Sequence, residues 1–236
     1  MQAFKKIALC AFIFFGLTGQ TPSTHDFQNL TVVEHPLIKH KLTIMRNKKT
    51  KSRAFSRLLH EISLLMTYEV TRNLPTKDLL VETPVAQAVG SKLSGRIVIV
   101  PILRAGLGMS KGLEEIMPHA KRGHIGLARD PITKQPIEYL FKIPKNKEGQ
   151  IYIVVDPMLA TGGSAVYAVK KMIDSGIAPT QIIFMSLVAA PEGVEKFQEQ
   201  LPTVPIFTAA LDEKLNEKAY IVPGLGDAGD RVFGTE

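Results

Sequence analysis

An α/β fold with a mainly parallel, twisted sheet flanked by helices is what this sequence predicts from residue 27 onward, and three observations carry the prediction. Short β-branched runs recur, each followed by a turn and an amphipathic stretch. One run, Ile151 to Val155, passes into an acid, a glycine-containing turn and a helical pattern. The chain has 236 residues, 45% apolar and 22% charged, with no repeat, low-complexity tract or linker, which suits one large core.

The N-terminal 26 residues stand apart as an extension to the body at 27–236. Lys5 and Lys6 precede an apolar run from Ile7 to Leu17, then small and polar residues follow through Ser23. That order is the grammar of a secretory signal. A hydrophobic helix packed on the body, or a start codon placed too early, would give the same string. The run is short for a membrane span, which needs about 20 residues, so membrane association is not expected unless the segment is kept as an anchor. Cys10 is the sole cysteine, which excludes an intrachain disulfide and a cysteine-based zinc site.

The net charge of +7 is confined to the first 60 residues, which hold ten Lys/Arg against Asp26 and Glu34. The remainder balances at 19 basic and 20 acidic residues, so the high pI does not make the body a nucleic-acid binder. Within the basic part, Phe55, Leu58, Leu59, Ile62, Leu65, Met66 and Val70 fall at helical spacing between Thr50 and Asn73 and predict one long helix. Leu65, Met66 and Tyr68 read as its core residues. His35 and His40 read as structural.

Strands are expected at Ile97 to Val100, Ile125 to Leu127, Ile151 to Val155, Gln181 to Val188, Val204 to Phe207 and Tyr220 to Val222. Helices are expected at Leu107 to Ile116, Gly163 to Ser175 and Glu192 to Gln200, the last opened by Pro191. Between Asp130 and Gln150 the chain is polar and carries three prolines and Gly149, as a functional loop or a β-hairpin arm would.

The chemistry concentrates where Val155 meets Asp156 and then Thr161, Gly162, Gly163 and Ser164. Ligands of open α/β sheets bind at the carboxyl ends of such strands. A helix N-terminus offers free N–H groups and partial positive charge, and glycines let the backbone approach an anion. No lysine follows the glycines, so a P-loop does not fit. A carboxylate beside a phosphate would repel it, so Asp156 should serve another part of the ligand, and sugar hydroxyls are its natural partner. Arg104, beside Gly106 and Gly108 past another strand, can grip phosphate oxygens bidentately. In the run from Ile221 to Asp230, Gly224, Gly226 and Gly229 would let peptide groups face a flat heterocycle.

The string from Asp156 to Ser164, DPMLATGGS, resembles the PRPP-binding motif of type I phosphoribosyltransferases, in the form found in the uracil phosphoribosyltransferase family. Three further segments are similar to that family. They are Glu34 to Leu37 with Lys39 to Leu42, as its opening strand and turn; Val100 to Met109, as its pyrophosphate loop; and Pro223 to Asp230, as its uracil loop. The resemblance spans residues 30 to 236 and implies the type I fold, with a β-hairpin arm and a C-terminal base-binding loop. It implies transfer of ribose 5-phosphate from PRPP to N1 of uracil, giving UMP and pyrophosphate, with Mg²⁺ as cofactor.

Carried over residue by residue, it puts PRPP on Arg104, Arg129, Asp156, Pro157, Met158, Leu159, Ala160, Thr161, Gly162, Gly163, Ser164 and Asp227. Uracil falls to Ile221, Gly226, Asp227 and Ala228, and the catalytic roles to Arg104, Asp156 and Asp227. The resemblance also implies a homo-oligomer, a GTP effector as in some relatives, and work in the cytoplasm, where PRPP and Mg²⁺ are supplied. The loop after Arg129 departs from the family: Ala128 stands where relatives often carry tyrosine, and Lys134 is its candidate for closing over the leaving group.

Two other functions are compatible with parts of the string. The stretch from Lys39 to Arg57 holds eight Lys/Arg and no acid, as an RNA-binding regulator on this fold would, although Phe55 is its only aromatic. An exported relative would keep the fold without its cytosolic donor.

Overall fold

The computed structural model describes residues 27–130, 136–146 and 148–235. The hydrophobic N-terminal stretch, Lys134 and its loop, and the side chain of Arg129 lie outside the described residues. In chain order the elements are β1 (Leu30–Val32), α1 (Pro36–Arg46), α2 (Ser52–Val70), β2 (Thr76–Glu82), β3 (Gln87–Leu93), β4 (Ile97–Leu103), α3 (Gly106–Ile116), β5 (Lys121–Arg122), β6 (His124–Arg129) and β7 (Pro136–Lys142). The chain continues with β8 (Ile151–Val155), β9 (Met158–Leu159), α4 (Gly163–Asp174), β10 (Ile182–Ala189), α5 (Pro191–Gln200), β11 (Ile206–Leu211), β12 (Lys214–Leu215), β13 (Ile221–Val222) and α6 (Ala228–Phe233).

The main sheet runs β1-β11-β10-β8-β4-β6-β7, with β5 and β9 as short additions beside β4 and β10. Its pairs are parallel except β6 with β7. Both faces are covered, which is why β4 and β8 read as near-continuous apolar runs. Ile97, Ile99, Ile153 and Val155 face a core shared with α2 and α3, while Val98, Val100, Tyr152 and Val154 face one shared with α4 and α5. After β4 the chain moves outward to β6, whereas β8 lies on the other side of β4 and leads to β10 and β11. The order therefore reverses between β4 and β8, and an open sheet binds its ligand at that crevice.

The long basic helix is present as α2, with Phe55, Leu58, Leu59, Ile62, Met66 and Val70 buried. Tyr68 corrects the expectation of a core residue: it is 67% exposed, and Arg72 lies over its ring at 5.4 Å. The segment from Glu34 to Leu42 is another correction, since it is not a strand and turn. The strand there is β1, which precedes the segment, and α1 begins at Pro36, with His35 at its N-cap accepting from the Leu37 N–H at 3.2 Å. Proline suits the first helical turn, and Ile38, Leu42 and Met45 bury one stripe.

The polar stretch after Asp130 does form a hairpin, β6 with β7, but that hairpin belongs to the main sheet. A second hairpin, β2 with β3, was not foreseen, and it is the one that stands away from the body as an arm. Six of the seven residues of β3 and all seven of β2 are exposed.

Candidate active site

The cradle follows from how β8 ends. The Asp156 N–H still bonds to Met185 O at 3.2 Å, as in the sheet, but the chain then bends into β9 against β10. Pro157 is buried, and its carbonyl accepts from the N–H groups of Leu187 and Val188, both at 3.1 Å. Asp156 Oδ1 accepts from the Met158 N–H at 3.3 Å, which holds the carboxylate at the mouth of the crevice. Gly162 caps α4 with φ 74°, and no side chain caps that end, so the first N–H groups of a twelve-residue helix point to the cavity.

The two glycines of the turn differ. Gly162 needs its left-handed backbone, and a Cβ there would also sit 2.9 Å from Gly193 O. Gly163 has helical backbone, and a Cβ there would meet only Thr161 Oγ1, at 3.7 Å. Its missing side chain leaves room for a ligand.

Opposite the cradle, β4 ends at Leu103, a cis peptide follows, and Arg104 is exposed. Among the described residues Arg104 has no carboxylate partner; its guanidinium lies 5.4 Å from the Phe233 ring centroid. Gly106 and Gly108 do not serve the anion as expected. A Cβ on Gly106 would collide with the Val155 carbonyl, and one on Gly108 would come within 2.5 Å of Leu59 Cδ2, so both are packing glycines that seat α3. Arg129 ends β6, the strand next to β4.

The third wall is the C-terminal loop. It leaves β13 through a cis Val222–Pro223 peptide, turns at Gly224 and Gly226 with φ 57° and 79°, and enters α6. Asp227 is the N-cap, accepting from the Asp230 N–H at 3.0 Å.

One cavity of about 370 Å³ touches all three walls. Arg104, Asp156, Met158 to Ser164, Ile221 and Gly226 to Ala228 line it, so among the described side chains the expected site residues meet there, apart from Pro157. Lys218, Ala219 and Tyr220 also line it and were missed. Ala219 has a positive φ of 61°, held by Asn216, whose Oδ1 accepts from the N–H groups of Lys218 and Tyr220 at 3.0 Å each. The asparagine before the strand was the available signal.

A sheet reversed between β4 and β8, with an acid and an open helix end on one lip and an exposed arginine on the other, is the arrangement of a phosphoribosyltransferase of the type I class. The family model described as uracil phosphoribosyltransferase matches residues 32–235. A uracil phosphoribosyltransferase of Rhodospirillum centenum is 55% identical over 215 residues, 90% of this chain and 99% of that protein. One of Streptococcus mutans is 54% identical over 206 residues, covering 87% and 98%. Among solved structures, the AQ2163 protein of Aquifex aeolicus superposes with a TM-score of 0.82 at 34% identity, over 88% of this chain and 99% of that one. The chain belongs to the uracil phosphoribosyltransferase family.

Proposed function

We propose that this chain carries out its family's reaction, transfer of ribose 5-phosphate from PRPP to N1 of uracil with release of pyrophosphate, using the residues of this cavity. The observation that carries the reading is that cavity: it joins an open helix end, the Asp156 carboxylate, the exposed Arg104 and a glycine-rich loop within one ligand's reach. In this division of labour, residues 161–164 hold the 5′-phosphate and Asp156 orients the ribose hydroxyls. Arg104, joined by Arg129, takes charge developing on the pyrophosphate. Ile221, Gly226, Asp227 and Ala228 surround uracil, with the peptide groups of the loop matching its alternating donors and acceptors.

Phosphoribosyltransferases generally use Mg²⁺ with PRPP. Among the described residues no three His, Cys, Asp or Glu cluster as a metal cage. The donors suit a magnesium that arrives on the substrate, since that ion keeps its waters and takes one or two carboxylates, here Asp156 and Asp227. When bound, it neutralises charge on the leaving group.

Purified protein mixed with PRPP, Mg²⁺ and uracil, orotate, hypoxanthine or adenine in turn should form a nucleotide with uracil alone, and EDTA should abolish it. Exclusive use of a purine would end the reading. Titrating GTP in the same assay tests the effector.

A homo-oligomer belongs to the same proposal. The β2–β3 arm exposes Leu80, Val89 and the turn residue Val85, the last at 94%, and a lone two-stranded hairpin is at best marginal in water. A second copy would cover it, and sedimentation across a dilution series reads this out. Because PRPP and Mg²⁺ are cytosolic supplies, the cytoplasm is the proposed place of work. Among the described residues, no helix is long and apolar enough to cross a membrane.

A further inference from the structure

None of the eight basic residues from Lys39 to Arg57 lines the cavity, yet one of them reaches the loop that forms its third wall. From the last turn of α1, Arg46 donates from Nη1 and Nη2 to Asp212 Oδ2 and Oδ1 at 2.7 and 2.5 Å. Nη1 also donates to the Gly224 carbonyl at 2.7 Å, while Asp212 Oδ2 accepts from the Gly224 N–H at 2.9 Å. One ion pair thus satisfies both peptide groups of Gly224. Asp212 has a side chain only 4% exposed, so without the guanidinium it would be a desolvated carboxylate.

A second arginine grips the next residue. Arg231 Nη1 donates to Leu225 O at 2.8 Å, and Nη2 reaches Asn47 O and Thr50 O at 2.8 and 3.3 Å, in the turn between α1 and α2. Its guanidinium lies 4.4 Å from the ring centroid of buried Phe55. The loop is therefore tied at two successive carbonyls to the N-terminal helices.

We infer that Arg46, with Asp212, and Arg231 are positioning residues for base recognition. This rests on the assignment of the loop to uracil. A pyrimidine read by peptide groups is discriminated only as well as those groups are placed, and Gly226, Asp227 and Ala228 follow directly from the two tethered residues. The planar fork of Arg46 spans two carboxylate oxygens and a carbonyl at once, which the point charge of a lysine cannot reproduce. The basic N-terminal segment thus contributes to base specificity without touching the base.

The test is Arg46→Lys, with Arg231→Lys as the second variant should the first not fold. Uracil and PRPP are varied separately, cytosine is offered as a competitor, and amide hydrogen exchange is followed at Gly224 and Leu225 in the free protein. The expected result is a rise in KM for uracil on the order of tenfold, as losing a charge-assisted hydrogen bond gives, with faster exchange and weaker rejection of cytosine. KM for PRPP, which the loop reaches only through Asp227, should rise less than KM for uracil. A parallel rise in both KM values, or unchanged exchange, would overturn the inference while leaving the reaction standing. A wild-type protein inactive with uracil would end the reaction assigned above and leave the tether to be judged by exchange alone.

Discussion

The two halves of the cavity are built in opposite ways. The ribose-phosphate half is one contiguous strand, turn and helix, β8 to α4, whose groups are placed by the sheet beneath them. The base half has little regular structure of its own and is placed by side chains far off in sequence: Arg46 and Asp212 are 166 positions apart. A contiguous half withstands changes elsewhere, whereas a tethered half can be altered from outside the site.

The largest way to break the first half is Asp156→Asn. It keeps an acceptor for the Met158 N–H but removes the charge, and should lower kcat on the order of a thousandfold. Radiolabelled UMP formation measures the loss.

Next come the paired glycines. Gly163→Ala should fold normally and raise KM for PRPP at least about tenfold, since its methyl enters the space left for the phosphate. Gly162→Ala should instead cost about 1–2 kcal/mol in a urea titration, through its left-handed backbone. Equal loss of stability in both variants would contradict the division between them.

In the base half, Gly224→Ala would drive a Cβ into the Ile221 carbonyl and should raise KM for uracil several-fold (about 3- to 10-fold), more than KM for PRPP. Phe233→Leu should raise KM for PRPP about two- to fivefold, because a partly exposed cation–π contact with Arg104 is worth about 0.5–1 kcal/mol. Restoration by Phe233→Tyr would identify the ring as the cause.

The smallest effect lies at the junction of α1 and α2. The Lys41 ammonium, hydrogen-bonded to Glu61 at 2.6 Å, holds that carboxyl below the ordinary carboxylate range, with Arg57 adding to the effect. A depressed acid stabilises the fold above its unfolded pKa and loses that contribution as the pH falls through the folded value. Glu61→Gln should therefore cost a few tenths of a kcal/mol near neutrality, about what an exposed pair gives, and nothing in strong acid. Urea titrations at two pH values compare the cases.

The same contrast governs what was legible in the sequence. The cradle was readable because each of its parts adjoins the next, so local pattern and tertiary role coincide from Ile151 to Ser164. The β2–β3 arm was not, because both of its faces are exposed and burial imposes no alternation on residues 76–93. Ile38, Leu42 and Met45 carried a helical spacing that the Glu34 to Leu42 resemblance obscured. Gly106 and Gly108 looked like anion-facing glycines only because the carbonyl and the leucine they fit against are distant in sequence. Lys218 to Tyr220 line the cavity through a backbone turn, which side-chain chemistry does not announce.

The pairing of β1 with β11 has a consequence for how the molecule comes into being. Leu30 lies beside Ile206, and Ser52 and Ser56 bond to Val232 O. On a ribosome, which releases the chain from its N-terminus, the first described strand waits for almost the whole protein before it has a neighbour. The donor-sugar cradle, whose supports in β10 and at Gly193 all precede residue 200, can be assembled while the acceptor pocket still lacks its loop and the tethering residues Asp212 and Arg231. A nascent chain stopped near residue 200 would then carry the PRPP half of the site and no place for the base.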